Sequence, residues 1–183
     1  MIFGDAKIKR VILNRNRLKH GKPEMINPAS VNLCLGNTFL SPVKIVGGVA
    51  LGEKMMYNRH GRQKGEWFTL YPGEFCLATT KEIVSMPRNV AAFVQGRSSI
   101  GRIGLAVQNA GFVDPGFHGA ITLELKNDSP NPIHLFPGYP VAQLVFFDCS
   151  RVKTPYQGKY NGQIEATGSR MEQDRAKYPH LTI

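Results

Sequence analysis

Residues 111–127, GFVDPGFHGAITLELKN, form a Gly- and Pro-rich bend that runs into a strand. The second half of the stretch alternates cleanly: Ile121, Leu123 and Leu125 share one face, Thr122, Glu124 and Lys126 the other. Successive strand side chains point to opposite faces of a sheet, so packing the Ile/Leu row in a core leaves Glu124 facing a cavity or an interface. Taken alone, a strand carboxylate is ordinarily solvated or paired, here with Lys126, and Asp114 can merely cap its turn through backbone N–H groups.

Outward from there, Phe68-Thr69-Leu70, Tyr71-Pro72-Gly73 and Phe75 to Ala78 read as strand, turn and strand. Ile133 to Phe136, Pro137-Gly138 and Val141 to Phe147 repeat that logic. Many short strands punctuated by Pro-Gly predict an all-β barrel or sandwich. Ahead of them, Asp5 is placed to cap a short helix over about Ala6 to Asn14, with Ile8, Val11 and Ile12 as its apolar positions. From Tyr156 onward the chain turns polar, with Gly158, Gly162 and Gly168, which predicts a mobile tail of the kind that closes over ligands.

At 183 residues the chain fits one domain, 1–183, large enough to bury a core without staples. Its 42% hydrophobic and 20% charged residues mark an ordinary globular protein rather than a disordered one. Apolar runs such as Pro140 to Phe147 are far too short for a membrane span, and MIFGDAKIKR shows no secretory signal. Cys34, Cys76 and Cys149 are odd in number and set among apolar residues, which suits buried thiols in a reducing cytoplasm. The net charge of +10 fits nucleic acid, a membrane face or a polyphosphate ligand. The cluster from Lys7 to Lys22, however, reads as the solvated side of a surface helix, and no nucleic-acid module accompanies it.

A second constellation is Gly96-Arg97-Ser98-Ser99-Ile100-Gly101-Arg102, after the apolar run Val90 to Val94. If a strand turns there into a short helix, Ser98 and Arg102 fall four apart on one face. Unpaired N–H groups and guanidinium forks suit phosphate oxygens, although an ordinary turn with two solvated arginines reads equally well. Zinc deaminases need H-x-E and P-C-x-x-C, and neither occurs; His20, His60, His118, His134 and His180 show no metal-ligand spacing. A phosphate loop, a nucleophile elbow and a dinucleotide fingerprint are also absent from the sequence.

Together, GRSSIGRIGL and GFVDPGFHGAITLELKN resemble the dCTP deaminase family, relatives of the trimeric dUTPases. INPASVNLCLGNTF resembles its early strand segment, LYPGEFCLATTKEIVSMP its central hairpin and PYQGKYNGQIEATGSR its C-terminal lid. The resemblance runs from about Met25 to Arg170. It implies a dUTPase-like, distorted and jelly-roll-like β-barrel with a short N-terminal helix and a flexible lid over about 156–183. It further implies a cytoplasmic homotrimer with active sites at subunit interfaces, acting on dCTP or dUTP, with dTTP as a possible inhibitor and no stable nucleic-acid or membrane partner. Glu124 takes the position of the catalytic glutamate, assisted by Ser98 and Arg102. Arg97, Ser99 and the turn backbone at Gly101 match phosphate-binding positions. Asp114 matches the residue that holds the deoxyribose 3′-hydroxyl, with Phe117 disfavouring ribose, and Thr122 and Leu123 offer backbone groups to the base. Tyr156, Lys159 and Gln163 match lid residues that close over the triphosphate. Mg²⁺ would be carried by the substrate phosphates and waters, with no zinc.

Hydrolytic deamination at cytosine C4 needs a water nucleophile, a proton for N3 and a protonated leaving amine. One carboxylate can relay all three if burial raises its pKa toward the working pH. Trimeric dUTPases resemble this chain around Asp114 but usually carry an apolar residue where Glu124 stands, which points to deamination. Gly111-Phe112 before Val113-Asp114, and Gln143 in VAQL at a substrate-binding position, resemble the dUMP-forming branch, in which Asp114 also orients water for pyrophosphate release. The alternatives are a dUTP-releasing deaminase, a dUTPase and a non-catalytic nucleotide sensor. Three places depart from the family pattern. Leu105 to Gly111 is one residue short, Asn32 replaces an Asp at a trimer contact, and Glu165 replaces a lid Gly close to bound phosphate.

Overall fold

The computed structural model of the chain describes residues 1–108 and 111–174. The strands are β1 (Leu18–Lys19), β2 (Ile26–Asn27), β3 (Ser30–Pro42), β4 (Tyr57–Gly61), β5 (Phe68–Leu70) and β6 (Phe75–Ser85). They continue with β7 (Val90–Gly96), β8 (Leu105–Gln108), β9 (Phe112–Val113), β10 (His118–Asn127), β11 (Ile133–Leu135) and β12 (Pro140–Asp148). Two short helices, α1 (Asp5–Ile8) and α2 (Ser98–Gly101), precede β1 and β8.

All pairings are antiparallel. The main sheet runs β8-β10-β6-β3-β12-β7-β9, with β1 on β6 and β2 and β4 on β3. Its two ends curl toward each other: a Cβ on Gly96 of β7 would lie 3.5 Å from Val107 of β8. The fold is therefore mainly β and barrel-like. Its interior is filled by Leu33, Leu35 and Phe39 of β3, Leu123 and Leu125 of β10, and Leu144 and Phe146 of β12.

The two Pro-Gly turns are present, but neither closes a hairpin. β5 pairs with β11 as a separate ribbon, Ile133 opposite Leu70 and Leu135 opposite Phe68. Both strands then pass through their turns into different strands of the main sheet. Buried Asn127 holds this crossing, donating from its side chain to the carbonyls of Leu70 and Asn131, each at 2.8 Å. Sequence patterning locates strands and turns, whereas partner choice depends on which edge the turned chain meets.

The N-terminal helix also differs from the sequence expectation. Gly4 is its N-cap, without a side-chain cap bond, and Asp5 is its first residue, 3.9 Å from Lys9. After Ile8 it widens into a π turn over Lys9–Leu13, closed by Asn14 N–H to Lys9 C=O at 2.9 Å. The wider turn lets Val11, Ile12 and Leu13 all reach the core. All three cysteines are free thiols; Cys34 and Cys76 are buried, and burial pushes them up to about 11 and about 12, while Cys149 is only partly covered. No helix among the described residues is long and apolar enough to cross a membrane.

Candidate active site

β10 does what its alternation predicts. Ile121, Leu123 and Leu125 are buried, while Thr122, Glu124 and Lys126 are half-covered on the opposite face. That face forms one wall of a cleft of about 400 Å³, a volume in the range of small-molecule sites. Seven of the residues marked by sequence line it: Asp114, Phe117, Thr122, Leu123, Glu124, Tyr156 and Gln163. Lys126 does not neutralise Glu124, because its ammonium pairs with Asp128 at 3.0 Å.

The bend before β10 brings Asp114 and Phe117 to the same cleft. Gly116 has φ +92°, and a Cβ there would sit 2.4 Å from Pro155, so only glycine lets the turn lie against the tail. β10 then shifts register between Ala120 and Thr122, where the Ile121 amide donates to Thr80 Oγ1 at 2.9 Å instead of to a strand partner. On its other edge β10 meets β8 only from Glu124 onward, which leaves both backbone groups of Ala120 to the tail. The Ala120 N–H donates to the Gln163 carbonyl and its carbonyl accepts from Gln163 Nε2, each at 2.8 Å. Gly119, at φ +152°, makes room, since a Cβ there would lie 2.7 Å from the same Gln163 carbonyl.

The polar tail is thus laid across the cleft as a strap. The Thr167 amide donates to Thr122 Oγ1 and the Ser169 amide to the Tyr57 hydroxyl, both at 3.2 Å. Gln163 Oε1 is buried with no hydrogen-bond partner, an acceptor left for a donor in the cleft. Lys159 is held by Asp174 at 2.6 Å, and Arg170 donates to the Lys159 carbonyl. Glu165 turns away from the cleft wall and pairs with Arg59 of β4 at 2.7 Å. The part of the tail from 175 to 183, with His180, and Asn109 and Ala110 of the short loop lie outside the described residues.

The second constellation folds as read but lies elsewhere. α2 follows β7 directly, with Arg97 as its N-cap, and the Arg102 amide donates to the Ser98 carbonyl at 3.0 Å, closing the turn. Ser98, Ser99, Gly101 and Arg102 are exposed, and none of them lines the cleft of its own chain. Arg97 is half-buried and donates to the Pro140 carbonyl at 2.8 Å. Gln143 accepts from Ser30 Oγ at 2.8 Å, next to the bond of 3.0 Å that Asn27 donates to Asn32, so this pair belongs to a polar network on β2, β3 and β12.

Sequence reading missed Tyr57, Phe75, Leu77, Gln108 and Tyr160, which also line the cleft. Leu77 and Gln108 flank Glu124 through strand pairing, so only the register could have revealed them. Buried Glu82 was likewise unmarked: its carboxylate accepts from the Cys34 amide at 2.8 Å, and loss of solvent pushes its pKa up.

The crystal structure of 2′-deoxycytidine 5′-triphosphate deaminase from Agrobacterium tumefaciens shares this fold, with a TM-score of 0.62 and 21% identity over 81% of the present chain. The present chain spans 48%, about half, of that longer one. Curled sheet, carboxylate-bearing cleft and C-terminal strap together define a mainly β, barrel-like protein with a built cleft. A model described as dCTP deaminase-like matches residues 2–149. Two relatives named "dCTP deaminase, dUMP-forming" align over 96% of this chain and 99% of their own length: one from Persephonella marina, 39% identical, and one from a Sulfurihydrogenibium species, 44% identical. The chain belongs to the dCTP deaminase-like family.

Proposed function

We propose that this protein hydrolytically deaminates dCTP at cytosine C4 and carries the product on to dUMP and pyrophosphate. The observation that carries this reading is Glu124, set without a neutralising partner among the described residues in the same cleft as Asp114 and Phe117. The family and the printed names of the aligned relatives support it.

Glu124 takes a proton from water as the oxygen adds to C4 and delivers it to N3. It then moves a proton to the exocyclic nitrogen, which leaves as ammonia while C4=O forms. Thr122 and Leu123 offer backbone groups to the base. Phe117 packs beside Asp114, which takes the 3′-hydroxyl and then orients the water that releases pyrophosphate. Mg²⁺ would be carried by the substrate's phosphate oxygens and water, which meet the cation's hard-oxygen preference.

Ser98 and Arg102 reach Glu124 from a neighbouring copy in a homotrimer. Their exposure on α2, outside their own cleft, supports this arrangement. So does the aromatic ridge in which exposed Phe93 meets exposed Phe112 at 5.0 Å and half-buried Phe147 at 5.4 Å. Arg97, Ser99 and the Gly101 backbone then bind phosphates from that copy, and Tyr156, Lys159 and Gln163 close from the strap. Free thiols fit a cytoplasmic setting.

Incubation with dCTP and, separately, with dUTP in the presence of Mg²⁺ tests the reading. Ammonia and dUMP from dCTP are expected. Ammonia with dUTP accumulating indicates a deaminase that stops one step earlier, dUMP from dUTP alone indicates a dUTPase, and tight binding without product indicates a sensor.

A further inference from the structure

Glu124 has two direct neighbours across the sheet, Leu77 on β6 and Gln108 on β8. Directly opposed antiparallel residues share a face, with Cβ atoms roughly 4.5–5.5 Å apart. Leu77 offers no polar atom. Along its own strand the same-face neighbours are already engaged: Thr122 Oγ1 accepts from Thr167, and Lys126 pairs with Asp128. Gln108 is exposed, lines the same cleft and forms no side-chain hydrogen bond among the described residues.

We infer that Gln108 is a positioning residue for Glu124, its side-chain amide donating to the carboxylate and fixing the oxygen that faces the base. The inference rests on the deaminase reading of the cleft and adds a residue to it. An amide suits the task because it does not titrate, so it remains a donor while Glu124 passes between its ionised and protonated forms. Donation to a carboxylate favours the charged form, which keeps Glu124 ready to accept a proton from water. The other ionisable groups facing Glu124 are Asp114 in the cleft, the phenols of Tyr57, Tyr156 and Tyr160, Lys126 with its partner Asp128 and, in the proposed assembly, Arg102 of the neighbouring copy. None of these lies opposite it in the sheet register.

The test is steady-state ammonia release from dCTP across pH, with thermal melting, for wild type, Gln108→Leu and Gln108→Glu. For Gln108→Leu, kcat should fall about tenfold, as for loss of a hydrogen bond to a charged group, with KM within about twofold. The acid limb of its kcat profile should move up by about one pH unit, because the lost donor no longer favours the carboxylate. Gln108→Glu keeps the side-chain shape and places a second carboxylate opposite Glu124, so its acid limb should move up at least as far. An active wild type with kcat and acid limb unchanged in both folded variants overturns the inference and leaves the deaminase reading standing. A raised KM with kcat and limb unchanged also overturns it, placing Gln108 on substrate instead. A wild type that releases no ammonia overturns the deaminase reading itself.

Discussion

β10 and α2 carry the two most distinctive motifs of this chain, and they behave differently. The side chains of β10 line a cleft in their own chain, whereas those of α2 project into solvent from the seam between β7 and β8. A strand with one buried face has its other face assigned by the pleat, so Glu124 had one place to go. A one-turn helix at a barrel seam buries a single anchor, Ile100, and leaves its remaining side chains to whatever docks there. The lesson is that a motif inside the sheet can be placed from its own chain, while one on the seam takes its role from whatever docks there.

The largest effect should come from the strand. Glu124→Gln is expected to lower ammonia release by about 10²–10⁴-fold, the range for a general acid–base group, while nucleotide binding persists. Measuring turnover alongside equilibrium dCTP binding separates the two. The contrast itself is tested by mixing. Ser98→Ala and Glu124→Gln chains, each inactive alone, should regain about a quarter of wild-type rate after unfolding and joint reassembly, because random closed assembly pairs an intact α2 with an intact Glu124 at that frequency. No recovery would place both motifs in one chain's site and remove the distinction.

Smaller effects sharpen it at the strap. Asp174→Asn releases Lys159 from its ion pair, and triphosphate affinity should rise by a few-fold, within the modest worth of a partly exposed pair. Isothermal titration with a non-hydrolysable dCTP analogue checks this. Smallest is Glu82, whose burial raises its folded pKa above the ordinary 4.5. The folded state then binds more protons than the unfolded one between those two values. Stability from this group is therefore greatest below 4.5 and falls as pH rises through the folded value. Glu82→Gln keeps an oxygen for the Cys34 amide and removes the buried charge. Its Tm should rise by about 2–4 °C at neutral pH and show a flatter pH dependence, as read by scanning calorimetry.

Much of the site was legible in the sequence because strand periodicity and Gly-Pro bends act over a few residues. The positions of Glu124 and Asp114 follow from that local grammar, while their roles, and Phe117 altogether, came from the family resemblance. Gln163 and Tyr156 were legible only through the motif order of the tail, since nothing local says what a polar segment will cover. Gln108, Leu77 and Tyr57 were not legible, because register and strap docking join residues far apart in the chain. One expectation changed for the same reason, since β5 met β11 instead of closing a hairpin with β6; a local one changed too, since Asp5 began the helix instead of capping it.

Residue order alone sets the strand faces, the turns and the family, since each rests on the succession of residue types along a short stretch. Tertiary structure alone decided which strands became neighbours, that β5 joins β11, that Gln108 stands opposite Glu124, and that α2 stays outside its own cleft. The physical reason is range. Pleat and turn geometry are settled by a residue's immediate neighbours, whereas strand partners are chosen by closing the barrel around one shared core.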